Sequence, residues 1–187
     1  MKVIETNISG LLIIEPRVFE DNRGYFFESY NKKLLNKAGL DLEFVQDNQS
    51  LSSYGVIRGF HYQLSPYAQT KLVRVLLGKV LDVVVDIRQG SLTFGHSFSI
   101  ELSSDNKKQM LIPQGFAHGF SVLSEQAVFA YKCDKYYNPD SESGFNPFDP
   151  DLAIDWQIPE EDRIVSEKDK LLAKFTDAEM NYYIQSE

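Results

Sequence analysis

Three histidines, His61, His96 and His118, are the side chains of this sequence best suited to moving a proton near neutral pH. His61 lies in Gly55-Val56-Ile57-Arg58-Gly59-Phe60-His61-Tyr62-Gln63, and Gln69 and Lys71 follow. An imidazole beside cationic side chains can take a proton while the cations hold the charge that develops. The plain alternative is a structural histidine at a strand edge. Strand alternation puts Ile57, Gly59, His61 and Gln63 on one side and Arg58, Phe60 and Tyr62 on the other. Arg58 and His61 can therefore serve one ligand only if a bulge at Gly59, or the strand's end, re-aims them.

His118 stands in Pro113-Gln114-Gly115-Phe116-Ala117-His118-Gly119-Phe120, a Pro-x-Gly-x-x-His pattern that resembles the second metal-binding motif of the cupin superfamily. The first cupin motif needs His-x-His and a Glu, whereas His61-Tyr62-Gln63 offers one imidazole. Transition-metal sites usually take three or more good protein ligands, so the pattern argues for the fold and against a metal. A packed turn histidine and a ligand contact are both open for His118. His96 has no charged neighbours and is assigned no function.

Other candidates have ordinary explanations when taken singly. Lys71 opens an apolar strand, Tyr131 falls in Val128-Phe129-Ala130-Tyr131 as a half-buried aromatic, and Asp169 stands three residues after Ser166 as in a capping box. Arg23 and Glu28 sit in a turn leading into a strand.

The elements that must position these groups are mostly β. Lys71 to Ile87 reads as two strands forming a hairpin hinged at Gly78-Lys79; in the second, Val80, Asp82, Val84 and Asp86 alternate with Leu81, Val83, Val85 and Ile87. Further strands are expected at Phe94 to Leu102, Gln109 to Ile112, Gly119 to Leu123 and Ala127 to Cys133, separated by polar turns, which predicts an antiparallel sandwich or barrel. Helical pattern is limited to Asn31–Ala38, with Asn31 as N-cap and Gly39 as stop, and to Ser166–Phe175.

The 187 residues, without a Pro-, Gly- or Ser-rich linker, predict one domain, 1–187, and the 43% hydrophobic content suffices for a core. One cysteine, Cys133, excludes an intrachain disulfide and fits a reducing cytoplasm. The only early apolar run, Leu11 to Ile14, is too short for a signal or membrane segment. A net charge of −8 argues against a nucleic-acid partner, so an anionic ligand would need a locally basic pocket.

Read together, Phe19–Glu28, Gln46-Asp47-Asn48, Gly55–Gln63, Gln69–Val73, Gly78–Arg88, Ser91–Gly95, Pro113–Phe120, Tyr131, Tyr137-Asn138-Pro139, Glu142, Asp149-Pro150, Ile154-Asp155-Trp156 and Ser166–Asp169 closely resemble the dTDP-4-dehydrorhamnose 3,5-epimerase family. The resemblance implies a cupin-like antiparallel β-barrel or jelly roll with a few short helices and neither metal nor other cofactor. It further implies a dTDP-sugar substrate and a homodimer in which residues 1–30 exchange strands, with 166–187 as a C-terminal helix and tail. Carried over by position, His61 is the proton acceptor, Asp169 its orienting carboxylate, Tyr131 the proton donor and Lys71 the enolate stabiliser. Arg23 and Glu28 match nucleotide-binding positions supplied by the neighbouring subunit; Gln46, Asn48, Arg58, His118, Glu142 and Lys168 match the remaining substrate contacts, with Arg58 at the diphosphate. The segment Gly144–Pro150 lacks the tryptophan the family tends to have before Asp-Pro.

The implied reaction is epimerisation of dTDP-4-dehydro-6-deoxy-D-glucose at carbons 3 and 5 through an enolate, a cytoplasmic isomerase step in carbohydrate biosynthesis such as lipopolysaccharide O-antigen. A single-centre epimerase or isomerase of a related keto-deoxysugar, and a metal-dependent cupin using His61 and His118, are the alternatives.

Overall fold

The computed structural model describes residues 1–184, so the last three residues of the expected 166–187 tail lie outside the described residues. Thirteen strands, β1 (Lys2–Glu5), β2 (Leu12–Glu15), β3 (Val18–Asp21), β4 (Gly24–Phe27), β5 (Gln46–Ser53), β6 (Ile57–Gln63), β7 (Lys71–Leu77), β8 (Lys79–Asp86), β9 (Ser97–Ser103), β10 (Gln109–Ile112), β11 (Phe116–Val122), β12 (Gln126–Cys133) and β13 (Glu142–Gly144), dominate the described residues. They form a six-stranded sheet, β1-β2-β10-β7-β12-β5, a five-stranded sheet, β13-β6-β11-β8-β9, and a separate β3-β4 pair. This is a cupin-like jelly roll, as expected. Among the described residues no helix is long and apolar enough to cross a membrane.

Alternation decides what each sheet buries. Val73, Val75, Met110, Ile112 and Phe129 of the six-stranded sheet meet Val80, Val84, Leu102, Phe120 and Val122 of the five-stranded one in a shared core. The other face of β8, Leu81, Val83 and Val85, with Ile87 just beyond its end, packs under Phe145 and Trp156 of the later loops, so β8 is apolar on one face and mixed on the other. The outer face of the six-stranded sheet, Ile14, Leu72 and Leu111, is closed by Leu35 of α1 (Lys32–Lys37). Asn31 caps that helix by accepting from the Leu34 N–H, as expected.

Three expectations change. β7 and β8 are not a hairpin: β7 pairs with β10 and β12, β8 with β9 and β11. Gly78 alone separates them, one residue short of a two-residue hairpin turn. Its φ is +77° and a Cβ there would lie 2.0 Å from the Gln126 carbonyl, so the chain turns a corner between sheets. The first residues of the expected Phe94–Leu102 strand instead belong to a turn, because the Asp86 carboxylate accepts from the Ser91 and Thr93 hydroxyls and fixes that segment. The expected Ser166–Phe175 helix is only α2 (Glu167–Lys170). Beyond it the Ala173 carbonyl accepts from the Asn146 N–H, and the Phe175 N–H donates to Asp149 at 2.6 Å, which draws the chain off the helical path.

Gly59 is the backbone device behind the site. The β6–β11 register runs His118↔His61 and then Phe120↔Arg58, with a bulge that places Gly59 and Phe60 opposite Gly119. At Gly59, φ is +121° and a Cβ would lie 2.5 Å from the Gly119 Cα. Gly59→Ala is therefore expected to cost about 3 kcal/mol from strain and overpacking together, read as a lower urea midpoint; a midpoint equal to that of the parent would contradict it.

Candidate active site

The bulge turns Ile57, Phe60 and Tyr62 toward the loop-covered core and Arg58 and His61 toward a cavity of about 330 Å³. Seven of the expected residues line that cavity: Asn48, Arg58, His61, Lys71, His118, Tyr131 and Glu142. His61 and His118 come from the five-stranded sheet, Lys71 and Tyr131 from the six-stranded sheet facing it. The cavity therefore has an imidazole wall and a lysine–tyrosine wall.

His61 Nε2 lies 2.7 Å from Asp169 Oδ1. The Asp169 side chain is 4% exposed against 33% for His61, so the carboxylate backs the ring and the ring meets solvent. Ser166 accepts from the Asp169 N–H at 3.1 Å, so the residue is at once part of the α2 cap and the partner of His61. Burial pushes the Asp169 carboxyl up, but the hydrogen bond and charge of His61, together with the Gly59 N–H, outweigh it and hold the carboxyl below its usual value. A depressed folded-state value means that this contact stabilises the protein above the ordinary carboxylate range and is lost as pH falls through it. With Nε2–H donated to Asp169, Nδ1 is the nitrogen available as a base.

Across the cavity, Lys71 Nζ sits 5.8 Å from the centroid of the Tyr131 ring. Burial lowers the Lys71 ammonium against the opposing pull of nearby anions, including Asp82 and Glu142. Burial raises the Tyr131 phenol, which keeps it protonated and able to donate. Arg58 spends its Nε on Ser52 at 3.2 Å, leaving the outer guanidinium nitrogens for a ligand.

The remaining expected residues lie off the cavity wall. Gln46 donates to Asn48 at 3.0 Å and accepts from the Tyr137 N–H, so it braces the wall. Lys168 binds Glu142 at 2.6 Å, and the Tyr137 hydroxyl donates to the same carboxylate. Arg23 pairs with Asp21 at 2.6 Å at the tip of β3–β4, and Glu28 accepts from Asn31; neither lines the cavity. Gln63, which replaces the second cupin imidazole, uses its amide on Tyr67 and Asn138. Among the described residues no three of His, Cys, Asp and Glu gather as a metal-binding group. The segment without the family tryptophan still packs: Phe145 is fully buried 5.0 Å from Phe60, and Phe148 lies under Arg163.

Two residues were not singled out from sequence. Tyr137 lines the cavity. Asp82, fully buried, holds His118 Nε2 at 3.0 and 3.1 Å; the signal available was a carboxylate inside an otherwise apolar strand.

Comparison with known proteins gives a consistent picture. The family model described as dTDP-4-dehydrorhamnose 3,5-epimerase matches residues 5–177. A dTDP-4-dehydrorhamnose 3,5-epimerase of Shigella flexneri is 50% identical over 98% of this chain and 100% of its own. The crystal structure of a dTDP-6-deoxy-D-glucose-3,5-epimerase from Legionella pneumophila, in complex with dTDP-4-keto-L-rhamnose, has a TM-score of 0.94 at 47% identity, with 99% of each chain covered. A 3'-monoepimerase from Streptomyces bikiniensis, in complex with dTDP-quinovose, has a TM-score of 0.85 at 31% identity, covering 91% of this chain and 86% of its own.

Proposed function

The chain belongs to the dTDP-4-dehydrorhamnose 3,5-epimerase family, and on that premise we propose how its cavity epimerises dTDP-4-dehydro-6-deoxy-D-glucose to dTDP-4-dehydro-L-rhamnose. The protein is a carbohydrate epimerase, and carbons 3 and 5 both flank the sugar's ketone at carbon 4. His61 Nδ1 takes the proton from one of these carbons, and the electron pair moves into the ketone to form an enolate. Lys71 holds the enolate oxygen, and Tyr131 delivers a proton to the opposite face of the carbon. His61 then gives its proton to solvent, Tyr131 regains one from it, and the reset groups act on the other carbon.

One observation carries this reading: base and acid rise from opposite sheets and face one cavity. Inversion requires a proton to leave one face and return to the other, and a sugar ring between the sheets has His61 on one side and Tyr131 on the other. Arg58 and Lys71 make the cavity locally basic, with Arg58 at the diphosphate. Asn48, His118 and Glu142 contact the sugar nucleotide; Gln46 and Lys168 act through Asn48 and Glu142. Proton NMR of the product tests the reading: both centres should be inverted, and inversion at one carbon only would make this a single-centre epimerase.

The position of Arg23 and Glu28 supports a homodimer. The β3–β4 pair stands outside both main sheets with Phe19, Tyr25 and Phe26 exposed, as suits strands that pack on a second copy and present Arg23 and Glu28 to its cavity. Sedimentation should give twice the 21.4 kDa chain mass; a single-chain mass would overturn this arrangement. A single cysteine, Cys133, left as a free thiol fits a reducing cytoplasm, and a deoxysugar nucleotide fits carbohydrate biosynthesis such as O-antigen assembly.

A further inference from the structure

The mixed face of β8 carries two carboxylates with different surroundings. Asp86 is saturated: Arg88 donates from its N–H, Nε and Nη2, and Ser91 and Thr93 donate their hydroxyls. Those partners hold a loop, which is reason enough for the charge. Asp82, also fully buried, is hydrogen-bonded to one side chain, His118. It lies between Val80 and Val84, where a valine would continue the apolar pattern without the cost of burying a carboxylate. Packing alone gives no reason for a charge there.

Burial raises the Asp82 carboxyl, and the charge and hydrogen bond of His118, then the charge of Lys71, pull it back toward the ionised form, so the reason for the group lies in His118. Its Nε2 faces Asp82, and its Nδ1 makes no hydrogen bond to a described residue. Among the described residues no buried side-chain polar atom lacks a partner, so Nδ1 opens on the cavity that His118 lines. His118 is also the direct cross-strand partner of His61, whose Nε2 is held by Asp169 in the same way. Two imidazoles on adjacent strands are thus each fixed from behind by a carboxylate at Nε2.

We propose that Asp82 is a positioning residue: it fixes His118 with the proton on Nε2, so that Nδ1 presents a lone pair to the cavity and accepts from a hydroxyl of the bound sugar. Asp82 itself touches no substrate. The inference rests on the reading of this cavity as the epimerisation site. A carboxylate can only accept, whereas an asparagine amide can donate to Nε2 and move the proton to Nδ1. Asp82→Asn should therefore invert the His118 tautomer with almost no change of shape.

The test uses the full chain carrying 15N-labelled histidine, at a pH where the imidazoles are neutral. The His118 resonances, assigned by their loss in His118→Gln, should report an Nε2–H tautomer in the parent and an Nδ1–H tautomer in Asp82→Asn. Turnover of Asp82→Asn should fall at least about 10-fold, as for other supporting carboxylates, mainly in kcat/KM, while dTDP affinity stays the same. Asp82→Val, which keeps the β-branched pattern of the strand but leaves His118 Nε2 without its partner, should lose turnover to a similar extent. An unchanged tautomer in Asp82→Asn, or turnover within about 2-fold of the parent in both variants, overturns the proposal. The tautomer is read without turnover, so a failure of the epimerase assignment would remain distinguishable from a failure of this one.

Discussion

Replacing His61 by Asn is expected to lower turnover about 10³-fold, the range of a lost general base, while leaving dTDP affinity unchanged. In the proposed roles the nucleotide and the reacting carbon depend on different groups: Arg58 serves the diphosphate, whereas His61, with a buried carboxylate at 2.7 Å behind it, serves the carbon. The side chain is one-third exposed, so the change opens no void in the core. Asparagine cannot act as a base near neutral pH. Parallel measurement of dTDP binding by calorimetry and of product formation separates the two effects; parent-like turnover would remove His61 from the role of base.

The second large effect is expected for Tyr131→Phe. The ring keeps its place 6.2 Å from Phe129 and beside Lys71, so packing is retained and only the phenolic proton is lost. Inversion should fall about 10²-fold or more. Exchange of the substrate's acidic hydrogens with solvent should continue, because His61 still removes the proton and its exposed ring trades it with water before returning it to the same face. In deuterated buffer the variant should label unreacted substrate faster than it forms product. Loss of exchange together with inversion would mean that Tyr131 is needed for deprotonation, which contradicts its assignment as donor.

Much of this fold was legible because alternation is local. The strands β8, β10 and β12 appear in sequence as β-rich runs between polar turns, and Asn31 and Ser166 announce their helices as caps. What was not legible depended on single backbone positions or on long range. Gly78 makes a corner rather than a hairpin because the Gln126 carbonyl comes against it, and Gln126 is far along the chain. Helix α2 is short because Asn146 and Asp149 capture the residues after it.

The site divides in the same way. The need for a bulge at Gly59 followed from the opposite parity of Arg58 and His61, and the structure has that bulge. The pairing of His61 with Asp169 spans 108 residues and could come only from the family resemblance, never from spacing. Asp82 was visible as a polar residue in an apolar strand, but its meaning required the β8–β11 register that sets it beside His118. The nucleotide role of Arg23 and Glu28 came from the family resemblance alone; within the single chain they lie off the cavity, Arg23 on Asp21 and Glu28 on Asn31.

The central claim is that two carbon-bound protons are exchanged through His61. Its most direct measurement is an NMR time course with dTDP-4-dehydro-6-deoxy-D-glucose in deuterated buffer, for the parent and for His61→Asn. The account predicts inverted product carrying deuterium at both carbon 3 and carbon 5 from the parent, and neither label nor inversion on that timescale from the variant. Inverted product without deuterium, or labelling that survives the loss of His61, would contradict it.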